Sequence, residues 1–167
     1  MVRLAPVLIL IMAAASGACA SSGRARPAPF PTPGGHATPA VGGSASGSAI
    51  ADLAVSFVGT RYRTGGATPA GFDCSGLVEY VFARYGVPMP RTVAEQYGVG
   101  RRVRRQDLEP GDLVFFHTVS RGASHVGISL GGDTFVHAPS GSGEVRIEHL
   151  SAAYWASRYV GARRIAD

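Results

Sequence analysis

The sequence predicts an α+β domain in which N-terminal helices pack on an antiparallel sheet of five to six strands. Two observations support this class. Between residues 49 and 98 apolar side chains recur at helical spacing. After residue 113 the apolar segments become short, rich in β-branched and aromatic residues, and separated by glycine-rich turns. Helices therefore come first and an antiparallel meander follows.

Residues 1–19 have the pattern of a signal peptide. Arg3 supplies a positive charge, and Leu4–Ala15 is an apolar stretch too short to span a bilayer as a mature helix. Small residues follow it. Cys19 resembles the lipidated cysteine of a lipoprotein, although Ser16 stands where that motif usually has leucine, so ordinary cleavage nearby also stays open. In either case we expect the protein to leave the cytoplasm for the cell envelope.

Residues 20–47 predict a disordered linker, because prolines alternate there with glycine, serine and alanine and few large apolar residues occur. Residues 48–167 then form one domain, long enough to bury its own core. The linker would hold this domain away from a membrane anchor.

The basic residues of the chain are all arginines, and the formal net charge is +5. Export and the lack of a recognisable nucleic-acid-binding motif argue against a nucleic-acid partner. We therefore expect the positive charge to attract the protein to anionic cell-wall material. Four of the arginines fall within Arg101–Arg105. This cluster is interpreted as a charged loop or edge strand, with contact to anionic polymer or lipid head groups as the alternative.

Three helices are predicted before the sheet. The first covers about 49–58. The second begins at Cys74, and apolar residues at helical spacing continue from there until Gly86 ends the helix. Asp73 is the predicted N-cap of this second helix. Thr92 and Glu95 have the spacing of a capping box at the start of a third, short helix that ends near Gly98.

Cys74 is the strongest candidate for a chemical role. In the first turn of a helix, unpaired N–H groups and the helix dipole favour a thiolate and can also stabilise an oxyanion. If Cys19 is lipidated or removed, Cys74 has no disulfide partner in the chain. A small buried core cysteine is the alternative interpretation.

Two histidines lie on a predicted hairpin formed by residues 124–130 and 134–137. A loop of Gly131–Asp133, or a bulge with the same effect, would put His125 and His137 on one face as diagonal neighbours, within reach of each other. A two-residue loop of Gly131 and Gly132 would separate them. With the Cys74 helix packed on the sheet, we expect the thiol to reach the face that carries the histidines.

These residues resemble the NlpC-type family of papain-like cell-wall cysteine endopeptidases. The resemblance covers about 62–164, nearly the whole folded part. Matching segments are Tyr62 before Gly65 and Gly66, Gly71–Val78, Pro90–Thr92, Pro110–Phe116, Ser124–Ile128, Phe135–Ala138 and Tyr159–Arg164.

The resemblance implies a papain-like fold with Cys74 as nucleophile, His125 as general base and His137 as the residue that orients it. It implies cleavage of peptidoglycan stem peptides between D-γ-glutamate and meso-diaminopimelate or lysine, through a thioester. It also suggests that Tyr62 lines the site and that the Cys74 N–H donates to the oxyanion. Asp73 and Ser75 lie near the site in the family, although capping and first-turn structure are sufficient explanations for them here.

Two other functions stay open: an amidase or acyltransferase on the same scaffold, and a non-catalytic wall-binding module. Zinc is a further alternative for Cys74, His125 and His137, but their spacing matches no structural zinc pattern and no fourth ligand is evident. We therefore expect no metal and no cofactor. We expect a monomer with two partners. It binds peptidoglycan, and a lipid anchor on Cys19 attaches it to the membrane.

Overall fold

The computed structural model describes residues 46–166. The predicted signal peptide, and the linker up to residue 45, lie outside these residues. The α-helices described are Gly47–Val55 (α1), Cys74–Ala83 (α2), Val93–Tyr97 (α3) and Ala153–Ala156 (α4). The strands are Ala67–Thr68 (β1), Gly71–Phe72 (β2), Arg101–Val103 (β3), Pro110–Phe116 (β4), His125–Gly131 (β5), Thr134–His137 (β6), Arg146–His149 (β7) and Tyr159–Arg164 (β8). Among residues 46–166 no helix is both long enough and apolar enough to cross a bilayer.

Six of the strands form one antiparallel sheet in the order β3-β8-β4-β5-β6-β7. Helices that precede and cover this sheet confirm the predicted α+β class. The arginine cluster begins as the edge strand β3, paired with β8, and continues into a 3₁₀ turn at Arg105–Asp107. The small hairpin of β1 and β2 was not predicted, because two-residue strands carry no periodic pattern.

The helix boundaries follow the caps more closely than the apolar pattern. α1 begins at Gly47, two residues before the predicted start, because the Ser46 side chain accepts the N–H of Ala49. It ends at Val55, before the predicted 58, and turns replace its last residues. The capping box of α3 is confirmed, since the side chains of Thr92 and Glu95 each accept the other residue's backbone N–H.

The β5–β6 hairpin has the register that the histidines require, and it reaches that register through a bulge. Ser129 pairs with Phe135, but the next pair is Gly131 with Thr134, so Leu130 is the extra residue. The turn itself contains two residues instead of the predicted three. Gly131 has a φ of 89°, a value that glycine adopts without the steric cost of a side chain.

The sheet separates two apolar clusters. On one face, α1 and α2 cover the side chains of alternate residues of β4, β5 and β6; the sheet side of this cluster comprises Leu113, Phe115, Val126, Ile128, Val136 and Ala138. The intervening residues of these strands project from the opposite face and contact α4. The cluster on that face comprises Leu108, Val114, Phe116, Phe135, Leu150, Trp155 and Ala162. The alternation follows directly from the two-residue period of a strand.

One ion pair joins two central strands of the sheet. Asp112 of β4 is buried with 1% of its side chain exposed, and Arg164 of β8 binds it through two nitrogens at 2.7 and 2.8 Å. The Arg164 guanidinium also contacts Glu109. Together with the backbone N–H of Glu109, which donates to Oδ2 of Asp112 at 2.9 Å, these bonds satisfy the buried carboxylate.

Candidate active site

Cys74 is the first residue of α2, and Asp73 is its N-cap as predicted. The Asp73 carboxylate accepts the N–H of Gly76 at 2.7 Å. The turn is close-packed: a Cβ at Gly76 would lie 2.0 Å from the carbonyl oxygen of Gly66. Only glycine at position 76 therefore allows the first turn, with its cysteine, to approach the loop before β1 so closely.

The Cys74 thiol is half-buried and packs against the apolar cluster that contains Val126, the second residue of β5. Burial raises the pKa of this thiol above its ordinary value. The N–H groups of Val126 and Ser75 oppose the rise, and the Asp73 charge adds to it. The net direction is opposite to the one expected from the helix terminus alone, because desolvation of the charged sulfur outweighs the helix N–H groups.

His125 and His137 form a buried pair on one face of the sheet. Nε2 of His125 lies 2.7 Å from Nδ1 of His137, and the exposed fractions of the two residues are 7% and 0%. Trp155 stacks on His125, with ring centroids 5.5 Å apart and an angle of 25° between planes. The predicted shared face and mutual reach of the two histidines are thus confirmed.

Both imidazoles are held in the neutral form. Burial lowers the pKa of His125 from 6.5 to about 4. Burial, the neighbouring His125 and the positive charge of Arg146 together lower the pKa of His137 to about 2. With the thiol pKa raised as well, the resting site at neutral pH contains a thiol and two neutral rings instead of a preformed ion pair.

The contact between the rings determines which nitrogen of His125 can act as a base. Because Nε2 is engaged with His137, Nδ1 is left; it makes no hydrogen bond to any of residues 46–166, yet it is not sealed from solvent. For Nδ1 to accept a proton, Nε2 must carry the hydrogen and donate it to Nδ1 of His137. His137 then carries its own hydrogen on Nε2, which is buried and has no partner among the described residues.

The sequence predicts that the Cys74 thiol reaches the sheet face that carries the histidines, but the structure places the thiol and the histidines on opposite faces. α2 packs on the sheet face that carries Val126, whereas the imidazoles project from the opposite face toward Trp155. The apolar side of α2 needs an apolar surface, and the histidine face is already covered by α4 and its cluster. Cys74 therefore meets β5 at its first residues, along the backbone beside His125.

Asp73 and Ser75 belong to a network whose centre the sequence interpretation missed. Arg91 donates to both oxygens of the Asp73 carboxylate and, at 2.8 Å, to the hydroxyl of Ser75. Burial acts to raise the pKa of Asp73, but the bonds from Arg91 and Gly76 and the arginine charge outweigh it and hold that pKa below its ordinary value. The matching segment Pro90–Thr92 was the available signal for Arg91.

Tyr62 lies close to the cysteine turn through its backbone. It bridges to Phe72, two residues before Cys74, and its N–H donates to the carbonyl of Gly143. Its ring packs against the apolar cluster below α2. The hydroxyl makes no hydrogen bond within the described part of the chain, so it remains available to a ligand. Residues 46–166 contain no group of three or more His, Cys, Asp or Glu side chains placed to hold a metal ion.

Comparison with known proteins agrees with this architecture. The family model described as "NlpC/P60 family" matches residues 59–164. A crystal structure of an NlpC/P60 family protein from Bacillus cereus superimposes with a TM-score of 0.70 at 29% identity, covering 75% of this chain and 42% of that one. The papain-like fold predicted from the sequence is confirmed by this similarity.

Two curated relatives are similar in sequence over the same region. The murein DD-endopeptidase MepS/murein LD-carboxypeptidase of Escherichia coli is 44% identical over 119 residues, covering 71% of this chain and 62% of that protein. The gamma-DL-glutamyl hydrolase of Bacillus subtilis is 44% identical over 118 residues, covering 69% of this chain and 28% of that protein. The matched region therefore spans less than two thirds of either relative.

Proposed function

Because the chain belongs to the NlpC/P60 family, we propose that it is an exported cysteine endopeptidase that hydrolyses the stem peptides of peptidoglycan. One observation carries the proposal. A half-buried thiol at a helix start lies against the strand residue that follows His125, and His125 is hydrogen-bonded to a second buried histidine. This is the combination of nucleophile, base and orienting group that thiol catalysis needs.

In the proposed reaction, Sγ of Cys74 attacks the scissile carbonyl while Nδ1 of His125 takes the thiol proton. His137 holds His125 in the required tautomer. The tetrahedral oxyanion is stabilised by the backbone N–H of Cys74, and its collapse releases the amine, which receives the proton from His125. Water then attacks the thioester with His125 again as base, releasing the carboxylate product and the free thiol. No cofactor takes part.

The neighbouring residues have supporting roles in this proposal. Arg91 fixes the Asp73 carboxylate and the Ser75 hydroxyl beside the nucleophile, so both can present defined polar groups to a substrate. The Tyr62 hydroxyl would bind the reacting group from the β2 side. The rigid first turn keeps the Cys74 N–H in place for the oxyanion.

The bond cleaved is proposed to be the one between D-γ-glutamate and the following diamino acid. The name of the Bacillus subtilis relative refers to a γ-glutamyl bond, whereas that of the Escherichia coli relative refers to DD-endopeptidase and LD-carboxypeptidase activities. Both kinds of bond therefore belong in the test.

The test is digestion of purified peptidoglycan fragments by the full-length chain, with products identified by mass spectrometry. New fragments ending at D-glutamate are expected, and Cys74→Ala should abolish them. Cys19→Ala removes the other thiol of the chain and serves as the matched control, which should cleave normally.

Other products would change or end the proposal. Cleavage at the crosslink would move the activity to the DD-endopeptidase bond, and cleavage at the muramic acid amide would indicate an amidase. If a folded protein with a reduced thiol cut none of these bonds, the result would contradict the proposed enzyme and favour a non-catalytic wall-binding module.

We further propose that the mature protein works as a monomer in the cell envelope, bound to peptidoglycan and attached to the membrane through a lipid on Cys19. Only the pattern around that cysteine supports the attachment. Radiolabelled palmitate incorporation, compared between the natural chain and Cys19→Ala, tests it. Equal labelling of the two proteins would contradict lipidation at this position.

A further inference from the structure

Gln96 is a polar side chain that the proposed reaction does not use, and it is completely buried, with 0% of its surface exposed. It lies on α3, the five-residue helix whose start is fixed by the capping box of Thr92 and Glu95. A glutamine amide that is removed from water loses its hydrogen bonds to the solvent, so its burial requires partners within the protein. The contacts of this amide therefore indicate its role.

The amide nitrogen of Gln96 bridges the helix of the candidate nucleophile and the segment before α3. Nε2 donates to the carbonyl oxygen of Ser75 at 3.0 Å and to that of Pro90 at 2.8 Å. Ser75 directly follows Cys74 in the first turn of α2, and Pro90 directly precedes Arg91. The two hydrogens of one amide thus join these two chain segments from inside the core.

The same two segments are joined a second time, closer to the surface. The guanidinium of Arg91 donates to the Asp73 carboxylate and to the Ser75 hydroxyl, and the Arg91 side chain is 38% exposed. An ion pair with this exposure fixes a geometry only weakly, because solvent screens the charges and a long side chain must be held in one conformation. The Gln96 amide holds the backbone from which Arg91 extends, so the core sets how Arg91 reaches the cysteine turn.

The other end of the amide shows that donors are what this position requires. Oε1 of Gln96 is buried and has no hydrogen-bond partner among residues 46–166. An unpaired buried acceptor is unfavourable, and methionine would fill a similar volume without one. Turning the amide over would direct Oε1 at two carbonyl oxygens and lose both hydrogen bonds, so the orientation with Nε2 toward Ser75 and Pro90 is the favourable one.

We propose that Gln96 is a positioning residue that holds the first turn of α2 in place relative to Arg91 and thereby sets the reactivity of the Cys74 thiol. Its role is indirect, because the amide contacts the residue after the cysteine. This inference rests on the proposed function, in which Cys74 is the nucleophile, and it adds a residue from a separate helix to that site.

The electrostatics of the turn make this role measurable. Burial and the Asp73 charge both raise the pKa of the Cys74 thiol, and Arg91 lies against the same carboxylate. If the bonds from Gln96 are lost, Arg91 can move away from Asp73, and more of the negative charge then acts on the sulfur. The thiol should ionise at a higher pH and react more slowly at neutral pH.

Substitutions with graded numbers of donors test the inference in the full-length chain carrying Cys19→Ala, which leaves Cys74 as its one thiol. Gln96→Glu keeps the shape, and a buried, protonated carboxyl offers one donor; Gln96→Met keeps a similar volume and offers none. The rate of alkylation by iodoacetamide is measured against pH, with kcat and KM on a synthetic stem peptide. Alkylation at neutral pH should slow about 3-fold in Gln96→Glu and about 10-fold in Gln96→Met, and kcat should fall by similar factors with smaller changes in KM.

The order of the two variants distinguishes positioning from packing. If Gln96 only filled the core, methionine would be tolerated better than a carboxyl group, and the order would be reversed. The urea midpoint of Gln96→Met should change little, because the Pro90 carbonyl loses its donor while the unpaired Oε1 is also removed. Gln106, the other glutamine of the chain, is exposed, so Gln106→Met is the matched control and should change none of the rates.

A Gln96→Met chain with the alkylation profile of its parent would overturn the inference. So would the reversed order of the two variants, or unfolding of both, since either would assign the amide to packing or stability instead. Failure of the proposed function gives a different result: the parent chain would cleave no stem peptide, while alkylation would still slow in the expected order.

Discussion

The hydrogen bond between the two histidines allows a sharp prediction about His137. His137→Ala removes the group that accepts the Nε2 hydrogen of His125, whereas His137→Asn supplies an amide oxygen in a similar position. Both variants also lose the buried, unpartnered Nε2 of His137. The pair of substitutions therefore separates the orienting hydrogen bond from the ring itself.

The magnitude follows from the burial of the two rings and the 2.7 Å contact between them. In His137→Ala, a His125 ring that keeps its hydrogen on Nε2 leaves a buried donor unpaired, which costs about 1–3 kcal/mol. A ring that moves the hydrogen to Nδ1 avoids this cost but can no longer accept the thiol proton. We therefore expect kcat/KM to fall by about 5-fold to 150-fold in His137→Ala. His137→Asn should lose less.

The assay is kcat/KM on a synthetic stem peptide as a function of pH, with the rate of Cys74 alkylation by iodoacetamide measured beside it. A purely structural role for His137 would lower the melting temperature without changing the pH profile of alkylation. If His137→Ala kept the natural kcat/KM, or His137→Asn lost as much as His137→Ala, the tautomer argument would be refuted.

Three further predictions concern the folded state. Burial lowers the pKa of His125 from 6.5 to about 4, so between these pH values the unfolded chain binds a proton that the folded chain does not. Stability should fall as the pH falls through this window, by about 3 kcal/mol from His125 alone and by more with the lowered pKa of His137, seen as a lower urea midpoint. Stability that instead rose toward pH 4 would contradict the buried neutral ring. Asp112→Ala leaves Arg164 without its buried partner and should cost about 3 kcal/mol, measured by urea denaturation; an unchanged midpoint would argue against a structural ion pair. Gly76→Ala places a Cβ 2.0 Å from the carbonyl of Gly66, so it should lower the melting temperature and the alkylation rate of the thiol together, and normal values of both would be incompatible with this close contact.

Much of the fold could be predicted because the relevant signals are local. The N-cap at Asp73 and the capping box at Thr92 depend on residues within one helical turn, and the structure confirms both. The shared face of His125 and His137 follows from the two-residue period of a strand and the length of one turn. The extra residue at the Leu130 bulge compensates for the two-residue turn, so the predicted register is confirmed despite the shorter loop.

The features that were missed depend on residues distant in the chain. Arg91 contacts Asp73 across 18 positions, and a single charged residue in a loop carries no periodic signal. The direction of the Cys74 pKa depends on how deeply packing buries the sulfur, which outweighs the helix terminus that the sequence makes visible.

The sequence by itself determined the approximate positions of most helices and strands, the cysteine in the first turn of α2, and the location of two histidines on one hairpin face. These follow from backbone periodicity and capping, which act over a few residues. Only the tertiary structure decided which face of the sheet each group occupies, because that choice depends on competition among apolar surfaces far apart in the chain. α2 covers the face of Val126, Trp155 covers the face of the histidines, and Cys74 packs against the cluster of Val126, the residue that follows His125.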